Sequence, residues 1–371
     1  MADIKERSSN FELLRIIAMF GIVLFHAFYF GVHPSVSYKP TVLMNAAIGN
    51  FAGDFNNWIF ILISGYFLSC ARFKKERLLK IWSQVFFYSV VIGLVFFIFK
   101  IATVGFYNVD AYKALGYESA AKPIGKIELI RSFLPTLMGN NWFATCYILF
   151  YLFTPPPLYI LIDNLNRKEH LNLVLLMFVA GCCISMLPGQ NVLHASRFYY
   201  FILGYFAASY IKKYDPPVLN HTGLNFIISI TIIVFLAAWK VLLIVLSEKI
   251  PLLKSDFVRF LYLGGNIDKA PVFLAALLCF CAFKNINIPH NRVINLISST
   301  TFGIYLLHVN GHLKYFIWHR VFRFDEHVGS PDFVFYVLLS SLAVFFAFSI
   351  TDLLRQFFVE KAVQKFFCRK K

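Results

Sequence analysis

Phe11-Glu12-Leu13-Leu14-Arg15-Ile16-Ile17-Ala18-Met19-Phe20-Gly21-Ile22-Val23-Leu24-Phe25-His26-Ala27-Phe28-Tyr29-Phe30 is an apolar run carrying three ionisable side chains. About 20 apolar residues are what a helix needs to cross a bilayer. Desolvating charge inside such a helix is costly, so Glu12, Arg15 and His26 mark a functional site by default. Arg15 and His26 are eleven positions apart. At about 100° and 1.5 Å per residue that is roughly three whole turns and 16 Å of rise. The two side chains therefore project from one face, a polar stripe running from the membrane edge toward its middle.

The rest of the chain agrees with a membrane setting. Of its 371 residues 59% are hydrophobic and only 15% charged. Soluble domains are nearer half apolar and a quarter charged. The composition predicts an all-α, polytopic bundle. Apolar runs and loop signals place about ten spans near 11–31, 46–70, 80–103, 142–162, 172–188, 196–211, 223–247, 259–283, 293–318 and 332–358. A single integral-membrane domain over 1–371 is expected, with no cleavable signal peptide and no room for an appended soluble domain.

The formal charge is +16. In a soluble protein that excess could suggest nucleic acid. Here the basic residues sit in short links between apolar runs, where they set orientation and meet anionic headgroups, so membrane lipid and not nucleic acid is the expected partner. Lys5 and Arg7 precede the first span. Arg72, Lys74, Lys75, Arg77 and Lys80 fill the second link, and Lys361, Lys365, Arg369, Lys370 and Lys371 close the chain. The positive-inside rule then puts both termini in the cytoplasm. The longest outer segment, 104–141, carries Asp110, Tyr112, Tyr117 and Glu118 and is large enough to cover an entrance. Seven scattered cysteines form no CxxC pair and no disulfide framework, and read as small buried apolar groups.

Arg15 keeps its charge and so needs a partner or water. Glu12, one turn earlier, is within reach. That pairing explains Arg15 but not His26, which lies deeper. An imidazole is the commonest general base near neutral pH, and burial holds it neutral with one nitrogen able to accept a proton. The sequence leaves open which nitrogen. His308 and His312 are spaced i,i+4, but no Glu follows the first, so this is not a zincin helix and no metal is expected.

Several segments in order resemble the membrane acyltransferase 3 family. Phe11–Met19 followed by His26 is similar to its opening, a basic residue, ten intervening positions, then His. Phe60-Ile61-Leu62-Ile63-Ser64-Gly65-Tyr66-Phe67-Leu68, leading into the basic run from Phe73 to Trp82, is similar to its second-helix pattern. Asn141-Trp142-Phe143-Ala144 with Thr154-Pro155, Phe198–Tyr205, and Gly303-Ile304-Tyr305-Leu306-Leu307-His308 resemble later motifs. Glu12 stands where many members have Asp, and Ile16 where many have Gly, without changing the charge pattern.

The resemblance implies transfer of an acyl group, usually acetyl from cytoplasmic acetyl-CoA, onto a hydroxyl of a cell-surface polysaccharide or lipid-linked glycan precursor. The setting would be the cytoplasmic membrane of a bacterium. His26 would be the general base, or the carrier in an acyl-histidine relay, with Arg15 and Glu12 beside it as catalytic residues. Arg72, Lys74, Lys75, Arg77, Lys80 and Ser64 are the candidate donor-binding residues, because CoA is a polyanion that Arg and Lys pair well. Tyr66, Trp142, Arg197, Tyr305 and His308 are the candidate acceptor or oxyanion residues. Ser64-Gly65 also reads as a close-packing pair, and Trp142 as an interfacial belt residue. A transporter or flippase using the same buried charges is the alternative. A scaffold or glycan polymerase working through the 104–141 segment is a third reading.

Overall fold

A computed structural model describes residues 8–32, 39–101, 123–138, 141–187, 195–254, 263–264 and 266–360. The acidic and aromatic residues named at 110–118, both terminal basic clusters, and the start of the run expected at 259 lie outside them. The described residues are helical, without a β-strand. In chain order the helices are α1 (Ser9–Gly31), α2 (Lys39–Ala52), α3 (Asp54–Leu68), α4 (Lys75–Ile98), α5 (Lys126–Phe133), α6 (Trp142–Phe153), α7 (Tyr159–Asn164) and α8 (Arg167–Phe178). Then come α9 (Arg197–Tyr214), α10 (Thr222–Ser247), α11 (Ala270–Asn285), α12 (Arg292–Ser299), α13 (Thr301–His308), α14 (Leu313–Tyr315), α15 (Phe324–His327) and α16 (Phe333–Arg355). Among the described residues five helical stretches are long and apolar enough to cross a membrane: Ser9–Gly31, Lys75–Ile98, Arg167–Met186, Thr222–Ser247 and Phe333–Glu360.

Three of the expected runs differ from the structure, each for a local reason. The run at 46–70 breaks at Gly53, where a Cβ would sit 2.8 Å from the Gly49 carbonyl oxygen. Asp54 then opens α3, bonded by the Asn57 side chain at 2.6 Å. Within the run at 259–283 one helix opens at Ala270, where Pro271 fits the first turn because its missing N–H costs nothing there. Asp268 and Lys269 thus precede the helix. The run at 293–318 is cut after His308: the Asn310 side chain accepts from the His312 backbone N–H at 3.0 Å, an Asx turn ahead of α14. A further irregularity is the π-helical turn Thr154–Leu158, where consecutive prolines lack the N–H groups that a regular ladder requires.

The chain divides into two compact units. The first comprises Met1–Phe25, Ser37–Trp82 and Trp142–His290. Lipid tails are as apolar as Leu, so helices in a membrane gain from close contact more than from burial itself. That logic is visible where α3 crosses α9. A Cβ on Gly65 would lie 2.9 Å from Tyr205 Cα, and one on Gly204 would lie 2.3 Å from Ile61 Cγ2. Each glycine receives the other helix. The fully buried Trp58 indole donates to the Ile267 carbonyl at 3.0 Å. At one end of this unit the Asn10 amide donates to Phe283 O (2.8 Å), and Lys284 pairs with Asp215. Lys213 there donates to the carbonyls of Ile162 (2.9 Å) and Leu165 (3.1 Å), closing the C-terminus of α7 with a cation. The opposite end gathers Asp54, Arg197, Asp268 and Lys269.

The second unit comprises His26–Val36, Ser83–Asn141 and Asn291–Lys371. Its centre is Asp352 on α16, fully buried. That carboxylate accepts from Tyr88 Oη (2.7 Å), Gln84 Nε2 (3.1 Å), Arg355 Nε (2.7 Å) and Gln356 Nε2 (2.8 Å). Such a charge is tolerable in the interior because it is paired and its lone pairs are used. Asp352 also fixes α13: a Cβ on Gly303 would fall 2.2 Å from Asp352 Cγ, so α13 can approach α16 only through that glycine. Near the other end, the His319 ring places Nδ1 on Asp325 Oδ2 (2.8 Å) and Nε2 on the Phe30 carbonyl oxygen (2.7 Å). The last turn of α1 is thereby held from its backbone.

Candidate active site

His26 projects from the last turns of α1 and is half-buried in the second unit. Its Nδ1 lies 2.9 Å from Nε2 of His308, the fully buried last residue of α13. His308 in turn places Nδ1 2.7 Å from the Ile304 carbonyl oxygen, four residues back on the same helix. This chain of contacts fixes the tautomers of the neutral rings. A carbonyl oxygen only accepts, so His308 Nδ1 carries the hydrogen. His308 Nε2 is then the acceptor, and His26 Nδ1 must donate to it. The proton-accepting nitrogen of His26 is therefore Nε2, and the question that the sequence left open has a geometric answer. The Phe30 ring stacks on the His26 ring with centroids 5.0 Å apart and planes 16° apart, which limits rotation of the imidazole.

Arg15 and Glu12 lie in the first unit and pair at 2.7 Å, as their spacing predicts. Glu12 is the more buried partner, its side chain 6% exposed against 26% for Arg15. The guanidinium lies 5.7 Å from the Phe67 ring centroid. Lys212 of α9 reaches the same ring at 5.8 Å, lies 4.8 Å from the Tyr66 ring, and donates to the Tyr66 carbonyl at 2.7 Å. Two cations thus converge on one aromatic surface beside a buried carboxylate. Arg15 and His26 stand on one uninterrupted helix, so the shared face expected from their spacing holds.

The remaining candidates fall into separate groups. Arg72, Lys74, Lys75, Arg77 and Lys80 are all exposed, in the turn before α4 and on its first turns. The Lys74 backbone is tied to Tyr151 Oη at 3.0 Å, and the Arg77 guanidinium lies 5.2 Å from the Tyr151 ring, which gives this stretch a defined path. Ser64 is half-buried one residue before the glycine that admits α9. Tyr66 belongs with Arg15 and Lys212 at the basic end of the first unit. Arg197 covers the Trp142 ring at 4.4 Å at the opposite end, near Asp54. Tyr305 packs edge-on to His308, with centroids 6.1 Å apart. His308 and His312 do not converge: His312 Nε2 is directed to Ser132 Oγ at 3.4 Å. Among the described residues no cluster of three His, Cys, Asp or Glu is placed to hold a metal.

The chain matches the acyltransferase 3 family, described as an acyltransferase domain, over residues 8–352. The chain belongs to that family. The match takes in every residue named above as a candidate. No curated protein and no solved structure gives a significant match. Family membership together with the apolar helices makes this a membrane acyltransferase with multiple apolar helices. Sequence reasoning missed Phe30, Lys212, Lys314 and Asp352. Phe30 and Lys212 looked like ordinary interior and loop-facing residues, and only the partners supplied by the fold set them apart. Asp352 and Lys314 did carry a signal: each is a charged residue within or beside a long apolar run.

Proposed function

We propose that this acyltransferase moves an acetyl group from cytoplasmic acetyl-CoA to a hydroxyl of a cell-surface polysaccharide or its lipid-linked precursor. Its place would be the bacterial cytoplasmic membrane, with both termini inside. The observation that carries the reading is the Ile304–His308–His26 relay, which leaves Nε2 of His26 as a base. In the proposed step Nε2 takes the proton of the acceptor hydroxyl while its oxygen attacks the thioester carbon. The C–S bond breaks, and the departing thiolate recovers the proton from the imidazolium. Such base catalysis contributes on the order of 10²–10⁴ in rate. His308 holds the tautomer and direction of the ring, as the third member of a triad does.

The donor's phosphates would be met by Arg15, oriented by Glu12, and by the exposed basic residues 72–80. Guanidinium and ammonium groups bind phosphate through charge-assisted bonds. Trp142, Arg197 and Tyr305 are the candidate acceptor residues. Two measurements on the full-length protein in lipid nanodiscs or native vesicles test the reading. Acetyl-CoA at a hundred times its dissociation constant should raise stability by about 2.7 kcal/mol. His26→Ala should keep that thermal shift while incorporation of radiolabelled acetyl into alkali-labile envelope glycan disappears. Full incorporation by His26→Ala, or no thermal response of the wild-type chain to acetyl-CoA, defeats the proposal.

A further inference from the structure

Lys314 stands in the second unit on the short helix α14, and its ammonium lies 4.6 Å from the centroid of the Phe30 ring, the ring stacked on His26. It also lies 4.9 Å from the Tyr315 ring. Lys314 is half-buried, and among the described residues no carboxylate pairs with it. A cation withdrawn from water and held on aromatic faces beside a base, with no carboxylate pairing it among the described residues, is poised for an anion that arrives or forms there.

We propose that Lys314 stabilises the oxyanion formed when the acceptor hydroxyl attacks the thioester, an assignment that rests on the acyl-transfer reading above. The electron balance supplies the reason. As His26 Nε2 takes the hydroxyl proton it becomes a cation, and a second cation nearby opposes that change. Attack moves the carbonyl π pair onto oxygen at the same moment, so a negative charge appears between the two positive ones. Collapse returns that pair to the carbonyl, expels the thiolate, and passes the His26 proton to sulfur. A base and an oxyanion donor that share one tetrahedral centre stand roughly 6–8 Å apart, with about 3 Å from each to its oxygen. The Phe30 ring touches both groups, 5.0 Å from the His26 centroid and 4.6 Å from the Lys314 ammonium, so the two lie no farther apart than those two distances end to end. The Phe30 backbone is held by His319.

The test uses membrane vesicles from the organism of origin that carry the full chain, with radiolabelled acetyl-CoA as donor and the endogenous glycan as acceptor. Lys314→Met keeps the length of the side chain and removes its charge, and Lys314→Arg restores the charge. Lys314→Met should lower kcat by about 10²–10³, the usual effect of losing an oxyanion donor, with KM for acetyl-CoA within about threefold of wild type. Lys314→Arg should recover at least about tenfold of that loss at an equal amount of folded protein. A kcat for Lys314→Met within about threefold of wild type overturns the assignment, as does a loss confined to KM or a Lys314→Arg variant no better than Lys314→Met. If the wild-type vesicles incorporate no acetyl at all, the acetyl-transfer reading falls first. If they do and Lys314→Met equals them, only the oxyanion assignment falls.

Discussion

Replacing His308 by alanine separates the proposed base, His26, from the ring that orients it. The substitution removes the acceptor 2.9 Å from His26 Nδ1 and leaves His26 in place. A buried donor deprived of its partner costs about 1–3 kcal/mol. As a bias between the two tautomers of His26, that energy corresponds to roughly a 5- to 150-fold change in the fraction with Nε2 unprotonated. The expected loss in kcat for His308→Ala is therefore about 5- to 150-fold, smaller than the loss for His26→Ala, which removes the base itself. The assay is acetyl incorporation at saturating acetyl-CoA in vesicles, normalised to folded protein by thermal unfolding. His308→Gln, whose amide oxygen can still accept, should recover part of the rate. Residues acting as one unit are non-additive, so the double variant His26→Ala, His308→Ala should be no slower than His26→Ala alone. A wild-type rate in His308→Ala, or full additivity in the double variant, would refute the relay.

Three further outcomes are expected. Asp352→Ala removes the acceptor of four side-chain donors, of which Gln84 and Tyr88 are buried, and takes from Arg355 its nearer carboxylate; breaking a buried pair in this way should cost about 3–5 kcal/mol, read as a fall in thermal stability in nanodiscs. Gly303→Ala drives a methyl group into the Asp352 carboxylate and should cost about 1–3 kcal/mol in the same measurement, with acetyl transfer falling as α13 shifts. The hydrogen bond from Lys284 holds the Asp215 carboxyl below the usual carboxylate range. Its contribution to stability is therefore complete above the unfolded-state value of about 3.9 and is lost as pH falls through the lower folded value. Asp215 is exposed, so the effect should be small, should shrink with added salt, and should vanish in Asp215→Asn when unfolding is followed between about pH 2 and 5.

Much of the candidate site's inventory is named from the chain alone, but little of its assembly could be. The Glu12–Arg15 pair follows from i,i+3 spacing, and the shared face of Arg15 and His26 follows from helix geometry, because both depend on one helix only. His308 was named as a candidate for touching substrate or oxyanion. Its contact with His26 spans 282 positions, and no local rule reaches that far. The same holds for Asp352, which sits 264 positions from Tyr88. The helical class was plain from apolar content, whereas the breaks at Gly53 and after His308 were not. Hydropathy averages over a window, and one glycine or an Asx turn changes backbone direction without changing the average. Close approach through Gly65 was anticipated for the Ser-Gly pair, and the structure supplies its counterpart, Gly204.

The helix α13 has only eight residues, with Gly303 lodged against Asp352 near its start and His308 reaching His26 at its end. It behaves as a short rigid strut whose foot is set by the carboxylate and whose tip aims the imidazole. Damage at the foot should therefore be inherited as misaim at the tip. Genetic reversion of Gly303→Ala should accordingly yield second-site changes at Gln84, Tyr88, Asp352 or Arg355, well away in the chain from the histidine whose work they restore.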